Sequence, residues 1–194
     1  MSSQKGLRNI KIAPHAKRMA LALAWRLRAT VTPHLALEQR VRGKTILITG
    51  ASSGIGAQSA RRLAGAGARV VVTARSLDKL SDLVKDINAS GGEAILMRCD
   101  ISDLDDCDRL CNQLIAQSIH IDILINNAGR SIRRSAVNAT DRFHDYQRTM
   151  QLNYFGAIRI ALNLIPSMIH QGGGHIINVS TLGVQTGVPR SSAY

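Results

Sequence analysis

Five short apolar runs, TILIT (45–49), RVVVT (69–73), AILMR (94–98), DILIN (122–126) and HIINVS (175–180), alternate with longer stretches of helical spacing. Each run is rich in β-branched residues and nearly continuous in apolar character, the pattern of a strand covered on both faces. The stretches between them, 55–66, 77–89, 103–117 and about 141–170, have the spacing of amphipathic helices. Strands that alternate with helices connect by right-handed crossovers, which yields a parallel sheet with helices on both sides. The expected class is doubly wound α/β. Gly91-Gly92 and the run 172–174 follow helical stretches, where glycine takes the left-handed conformation that ends them. Pro166 falls inside the last pattern and predicts a kink or a restart.

Charge divides the chain at Gly43. Residues 1–44 carry ten Lys or Arg against one acid, Glu38, whereas the remainder carries fifteen bases against twelve acids. The reading is a basic arm, 1–43, followed by the α/β domain, 44–194. Within the arm, residues 19–27 (MALALAWRL) are too few and too charged to span a bilayer, which takes ~20 apolar residues. Lys17, Arg18, Arg26 and Arg28 around this stripe and Trp25 suit an anionic membrane surface, and equally a helix packed on the domain or an unstructured arm. The arm is Arg-rich and acid-poor like a transit peptide, but holds few hydroxyl residues. Aromatics make up 3% of the chain and no nucleic-acid motif is present, which argues against a nucleic-acid partner. Three cysteines, Cys99, Cys107 and Cys111, give no paired framework and no zinc spacing. They read as reduced thiols in a cytoplasmic setting, with Cys107 and Cys111 as small packing residues on one helix face. His144, His170 and His175 lack partners at metal-ligand spacing and read as structural; no metal is expected.

TGASSGIG, from Thr49 to Gly56, leaves the first strand and enters the first helix. Gly50, Gly54 and Gly56 permit a tight turn with close backbone approach, so that a pyrophosphate can meet free amides at the helix N-terminus. Ser52, Ser53 and Ile55 complete that loop. Glycines at such a turn also serve geometry alone. The second strand ends in TARS, where an acid would select NAD; Arg75, with Lys79 one helical turn on, argues for the extra phosphate of NADP. Asp100 and Ile101 follow the third strand, where Asp100 either meets the adenine or caps the next helix. NNAG, from Asn126 through Ala128 to Gly129, leaves the fourth strand on the same edge and suits a cofactor wall or an ordinary turn.

Together, TGASSGIG, CD, NNAG, the asparagine of QLNYFG, INVST and the final tyrosine occur in the order of the short-chain dehydrogenase/reductase family, which the chain resembles from about residue 44 onward. LINNAGRSIRR, DRFHD and RTMQLNYFGA further resemble its bacterial long-chain fatty acyl-CoA reductases. The resemblance implies a Rossmann domain and NADPH-dependent reduction of a carbonyl or thioester. It implies that Asn153 holds a helix bend and a relay water, and that Tyr194 protonates the carbonyl oxygen. The family serine stands thirteen residues before the tyrosine, which falls on Thr181. Ser180 is its neighbour; chemistry favours Ser180 as oxyanion donor and spacing favours Thr181.

The family lysine lies four residues beyond the tyrosine, past the last residue of this sequence. The expectation is a truncated enzyme, or a short chain that binds cofactor without turnover. Arg130, Arg133 and Arg134 are expected near the site rim as contacts for the phosphates of an acyl-CoA, or as a solvated basic loop. A ketone or alcohol oxidoreductase for a lipid or steroid-like substrate is the alternative activity, and a non-catalytic nucleotide-binding fragment the alternative of another class. A cytoplasmic protein with peripheral contact at the inner membrane, homo-oligomeric in full-length form, completes the expectation.

Overall fold

A parallel strand buried on both faces needs a neighbour on each side, and the order in which the runs pair decides where their carboxyl ends converge. The computed structural model describes residues 37–186, 189–190 and 193. In it β1 (Thr45–Thr49), β2 (Arg69–Ala74), β3 (Glu93–Arg98), β4 (Ile123–Asn126) and β5 (His175–Asn178) form one parallel sheet in the order β3-β2-β1-β4-β5. Strands are added outward from β1 through β2 to β3 and then on the opposite side of β1 as β4 and β5, and this switch opens a crevice at the carboxyl edge between the β1 and β4 loops. The compact unit begins at Leu37, and a short helix α1 (Leu37–Val41) buries Val41 against the domain, so residues 37–43 pack with the fold. The stripe 19–27, Trp25 and Tyr194 lie outside the described residues.

The alternation of side chains along β1 sends Leu47 to one face of the sheet and Ile46 and Ile48 to the other. On the second face they meet α2 (Gly54–Gly65) and α3 (Leu77–Ala89) through Ala57, Ala60, Leu80 and Leu83. On the first face Leu47, Val71 and Leu124 meet α4 (Leu104–Ala116) and α6 (Ala157–His170) through Leu110, Leu114, Ile160 and Leu164. All three cysteines are fully buried in this layer, with Cys107 and Cys111 on one face of α4 as expected. Cys99 is pushed up from its ordinary pKa by its hydrogen bond with the Cys107 thiol and by burial, and burial takes Cys111 up to about 12. Both stay thiols at neutral pH.

Two expectations are corrected. The runs at 94–98 and 175–180 are not covered on both faces: β3 buries only Ala94 and Met97, and every residue of β5 is exposed. They are the outer strands of the sheet among the described residues, and periodicity along one strand carries no record of its neighbours. Pro166 does not restart its helix, which runs unbroken from Ala157 to His170. The carbonyl it leaves without a donor belongs to Leu162, which is on the exposed face where water can replace the bond. The interruption lies earlier, where α5 (Phe143–Met150) passes through a π-helical turn, Gln151–Gly156, into α6. The whole stretch Phe143–His170 is long and apolar enough to cross a membrane by composition alone, yet Ile160, Ala161, Leu164 and Met168 are core residues of the sheet layer.

Candidate active site at the carboxyl edge

The glycine loop is tight because nothing larger fits. Gly50 has a positive φ of 67°, and a Cβ there would stand 2.7 Å from the Ala128 Cα. A Cβ on Gly56 would stand 2.5 Å from the Gly50 carbonyl oxygen and 2.6 Å from the Asn127 Nδ2. The first motif and NNAG are therefore in van der Waals contact, backbone to backbone. Hydrogen bonds fix the contact: the Asn127 and Ala128 amides both donate to the Thr49 hydroxyl at 3.0 Å, and the Asn127 side chain donates to the Thr49 and Gly50 carbonyls. Sequence reasoning singled out neither Thr49 nor Asn127 as a site residue. A threonine at the end of an otherwise apolar buried strand was the available signal.

Ser53 stands at the N-cap of α2 but makes no side-chain cap bond, and the first turn holds no acid. Its amides open on a cleft of about 760 Å³ lined by Gly50, Ser52, Ser53, Ile55, Arg75, Lys79, Asp100, Ile101, Ala128 and Gly129, which brings together ten expected residues. Gly54 lines a smaller neighbouring pocket, Gly56 is buried beneath the loop, and Asn126 faces elsewhere. Helix-end amides without an acidic cap, beside Arg75 and Lys79, form a donor set suited to the phosphates of a dinucleotide.

The two readings of Asp100 separate here. Asp103, not Asp100, caps α4, accepting from the amides of Asp105 and Asp106. Asp100 is half-buried in the cleft wall, its carboxylate accepting from the Ser102 amide and hydroxyl. Asp106, which sequence reasoning passed over, holds this loop from below. Its carboxylate accepts from the Asp100 amide at 2.7 Å and pairs with Arg109 and Arg98. That amide bond first, then Arg109 and Arg98, keep its pKa below the ordinary carboxylate value against the opposing effect of burial.

A second cavity of about 700 Å³ adjoins the first through Ala128 and Gly129, and its lining includes Asn126, Asn153, Ser180 and Thr181. The Asn126 side chain donates to the Asn178 oxygen across β4 and β5, and its own buried oxygen finds no partner among the described residues. Asn153 sits in the π-helical turn and bonds reciprocally to Arg130: its oxygen accepts the Arg130 amide at 2.8 Å and its nitrogen donates to the Arg130 carbonyl at 2.9 Å. The turn has its position because Gly156 presses on the Ile101 carbonyl, leaving no room for a Cβ. Ser180 is exposed, whereas the Thr181 hydroxyl accepts the Gly183 amide at 3.2 Å and keeps its proton for a further acceptor. The three expected rim arginines divide. Arg134 and Arg142 pair with the buried Asp145, which His144 also contacts, and Arg142 chiefly holds that carboxyl below its usual range. Arg130 and Arg133 are exposed, while His170 and His175 lie exposed at element ends. No cluster of potential metal ligands occurs among the described residues.

The family model described as short chain dehydrogenase matches residues 44–194. The chain belongs to the short-chain dehydrogenase family. Over 156 residues it is 51% identical to a protein named Fatty acyl-CoA reductase from Acinetobacter baylyi, covering 80% of this chain and 53% of that one. A Fatty acyl-CoA reductase from Mycobacterium tuberculosis is 43% identical over 164 residues, 81% of this chain and 56% of its own length. The chain thus spans about half the length of the curated relatives it matches. Among solved structures, a metagenomic short-chain oxidoreductase in complex with NADP superposes with a TM-score of 0.75 at 35% identity, over 79% of this chain and 69% of that one. A 7α-hydroxysteroid dehydrogenase complexed with NADH and a 7-oxo bile acid reaches 0.77 at 30% identity, over 84% and 62%. The chain shares its fold with both.

Proposed function

We propose that the protein is an NADPH-dependent oxidoreductase that reduces a long-chain fatty acyl-CoA to the fatty aldehyde. The observation that carries the reading is the 51% identity to a Fatty acyl-CoA reductase over 156 residues, 80% of this chain. Gly50, Ser52, Ser53, Gly54, Ile55 and Gly56 would shape the seat of the diphosphate at the amides of α2. Arg75 and Lys79 would take the 2′-phosphate, Asp100 and Ile101 the adenine, and Asn126, Ala128 and Gly129 the wall toward the reacting end. Held by these residues, the dinucleotide would supply a hydride to the thioester carbon. The hydroxyl of Thr181 or Ser180 donates a hydrogen bond to the developing oxyanion, worth a few kcal/mol in such sites. Tyr194 would deliver the proton to that oxygen, and Asn153 would hold the π-helical turn against Arg130. The resulting hemithioacetal then collapses, expelling CoA thiol and leaving the aldehyde.

Incubating the complete protein with palmitoyl-CoA and NADPH should yield aldehyde and free thiol in equal amounts. NADPH oxidation with neither product would reject the reading. The likeness to a 7α-hydroxysteroid dehydrogenase favours a second one, reduction of a lipid or steroid-like ketone, which predicts turnover of ketones with no release of CoA.

A further inference from the structure

Three large apolar side chains stand out from the described surface more than any others: Val137 at 83% exposure, and Phe143 and Leu182 at 71% each. All three belong to the two connections that leave the carboxyl ends of the adjacent strands β4 and β5, and other residues of those connections, Tyr146 and Met150 on one and Ser180 and Thr181 on the other, line the second cavity. Residues 130–148 carry five arginines against two acids, and the one buried acid, Asp145, is already paired with Arg134 and Arg142. Arg130, Arg133 and Arg148 are exposed and form no ion pair among the described residues. Apolar prongs and unpaired guanidinium groups carried by these connections meet two demands at once, an apolar layer to enter and phosphates to pair with.

We propose that this rim is a docking surface for an anionic phospholipid bilayer, which would place the mouth of the second cavity at the lipid interface. A second copy of the chain answers the charge poorly, because a twofold contact would set the same arginines against each other. The inference is independent of which carbonyl compound the protein reduces.

The test uses the full chain and vesicles of phosphatidylcholine with or without phosphatidylglycerol. Val137→Cys labelled with a polarity-sensitive fluorophore should shift to the blue on the anionic vesicles only. The same label at Ile115→Cys should not, since that exposed residue ends α4 at the opposite edge of the sheet. Arg130→Gln with Arg133→Gln should weaken vesicle binding by more than tenfold, at roughly fivefold per arginine, and Val137→Ser with Phe143→Ser and Leu182→Ser by at least as much. An unshifted Val137 label, or rim variants that bind like the unaltered chain, would overturn the proposal and assign any binding to another part of the molecule. A concentration-dependent dimer abolished by the serine variant would overturn it in favour of a second copy.

Discussion

On the β1-β2-β3 side of the sheet the site is made by backbone pressed on backbone. Gly50 approaches Ala128, Gly56 approaches Gly50, and the helices above bury Ile46, Ile48, Val70 and Val72 completely. On the β4-β5 side, Ile176, Ile177 and Val179 are between 39% and 48% exposed, and α6 turns Ile158, Leu162 and Ile169 outward. The first half is specified by atoms that are missing: a glycine is required wherever a Cβ would strike a carbonyl. The second is specified by what covers it, which no single strand or helix encodes. A tightly packed cleft at the glycine loop can therefore stand in a stretch of chain whose other flank presents core-like side chains to solvent.

The contrast is open to attack in five places. The largest effect is expected for Ile160→Ala: at 0% exposure between α6 and the sheet, it should lose about 2–5 kcal/mol of stability in urea unfolding. Gly156→Ala comes next. Its methyl must displace the Ile101 carbonyl, at a cost of about 1–3 kcal/mol, and because Ile101 lines the first cleft the same variant should weaken dinucleotide binding by calorimetry. Arg75→Ala should lower affinity for NADPH about tenfold while leaving NADH affinity nearly unchanged; equal losses for both would remove Arg75 from phosphate recognition.

The fourth effect is on pH. The Asp106 carboxyl has a folded pKa below its unfolded value of about 3.9, so its contribution is complete above that value and lost as pH falls through the folded one. Asp106→Asn should flatten the acid limb of a stability profile below about pH 4 relative to the unaltered chain. The smallest effect is expected for Ile177→Ala on the exposed strand, under about 1 kcal/mol. A cost there matching that of Ile160→Ala would mean that β5 is covered in solution, and would erase the contrast between the two halves.

Much of this was readable before the fold was known, and the exceptions have a common cause. Leu77–Ala89 has the bounds that its periodicity predicts, and the loops carrying Gly50, Arg75, Asp100 and Gly129 do meet around one cleft. What escaped was set by contacts distant in sequence. Thr49 and Asn127 bond across 78 residues, and the π-helical turn is placed by the Ile101 carbonyl against Gly156. The three arginines of SIRR and its approach look alike in the chain, and only the position of Asp145 separates Arg134 from Arg130 and Arg133.

The sequence by itself determined the alternating α/β class, the five strands and the glycine loop, because periodicity and the steric demands of a missing Cβ are local properties. Tertiary structure decided the strand order, which runs would be outer strands, which acid caps α4 and which arginines are left facing solvent. Those outcomes depend on what each segment packs against, and a burial pattern written along one strand or helix does not name its neighbour.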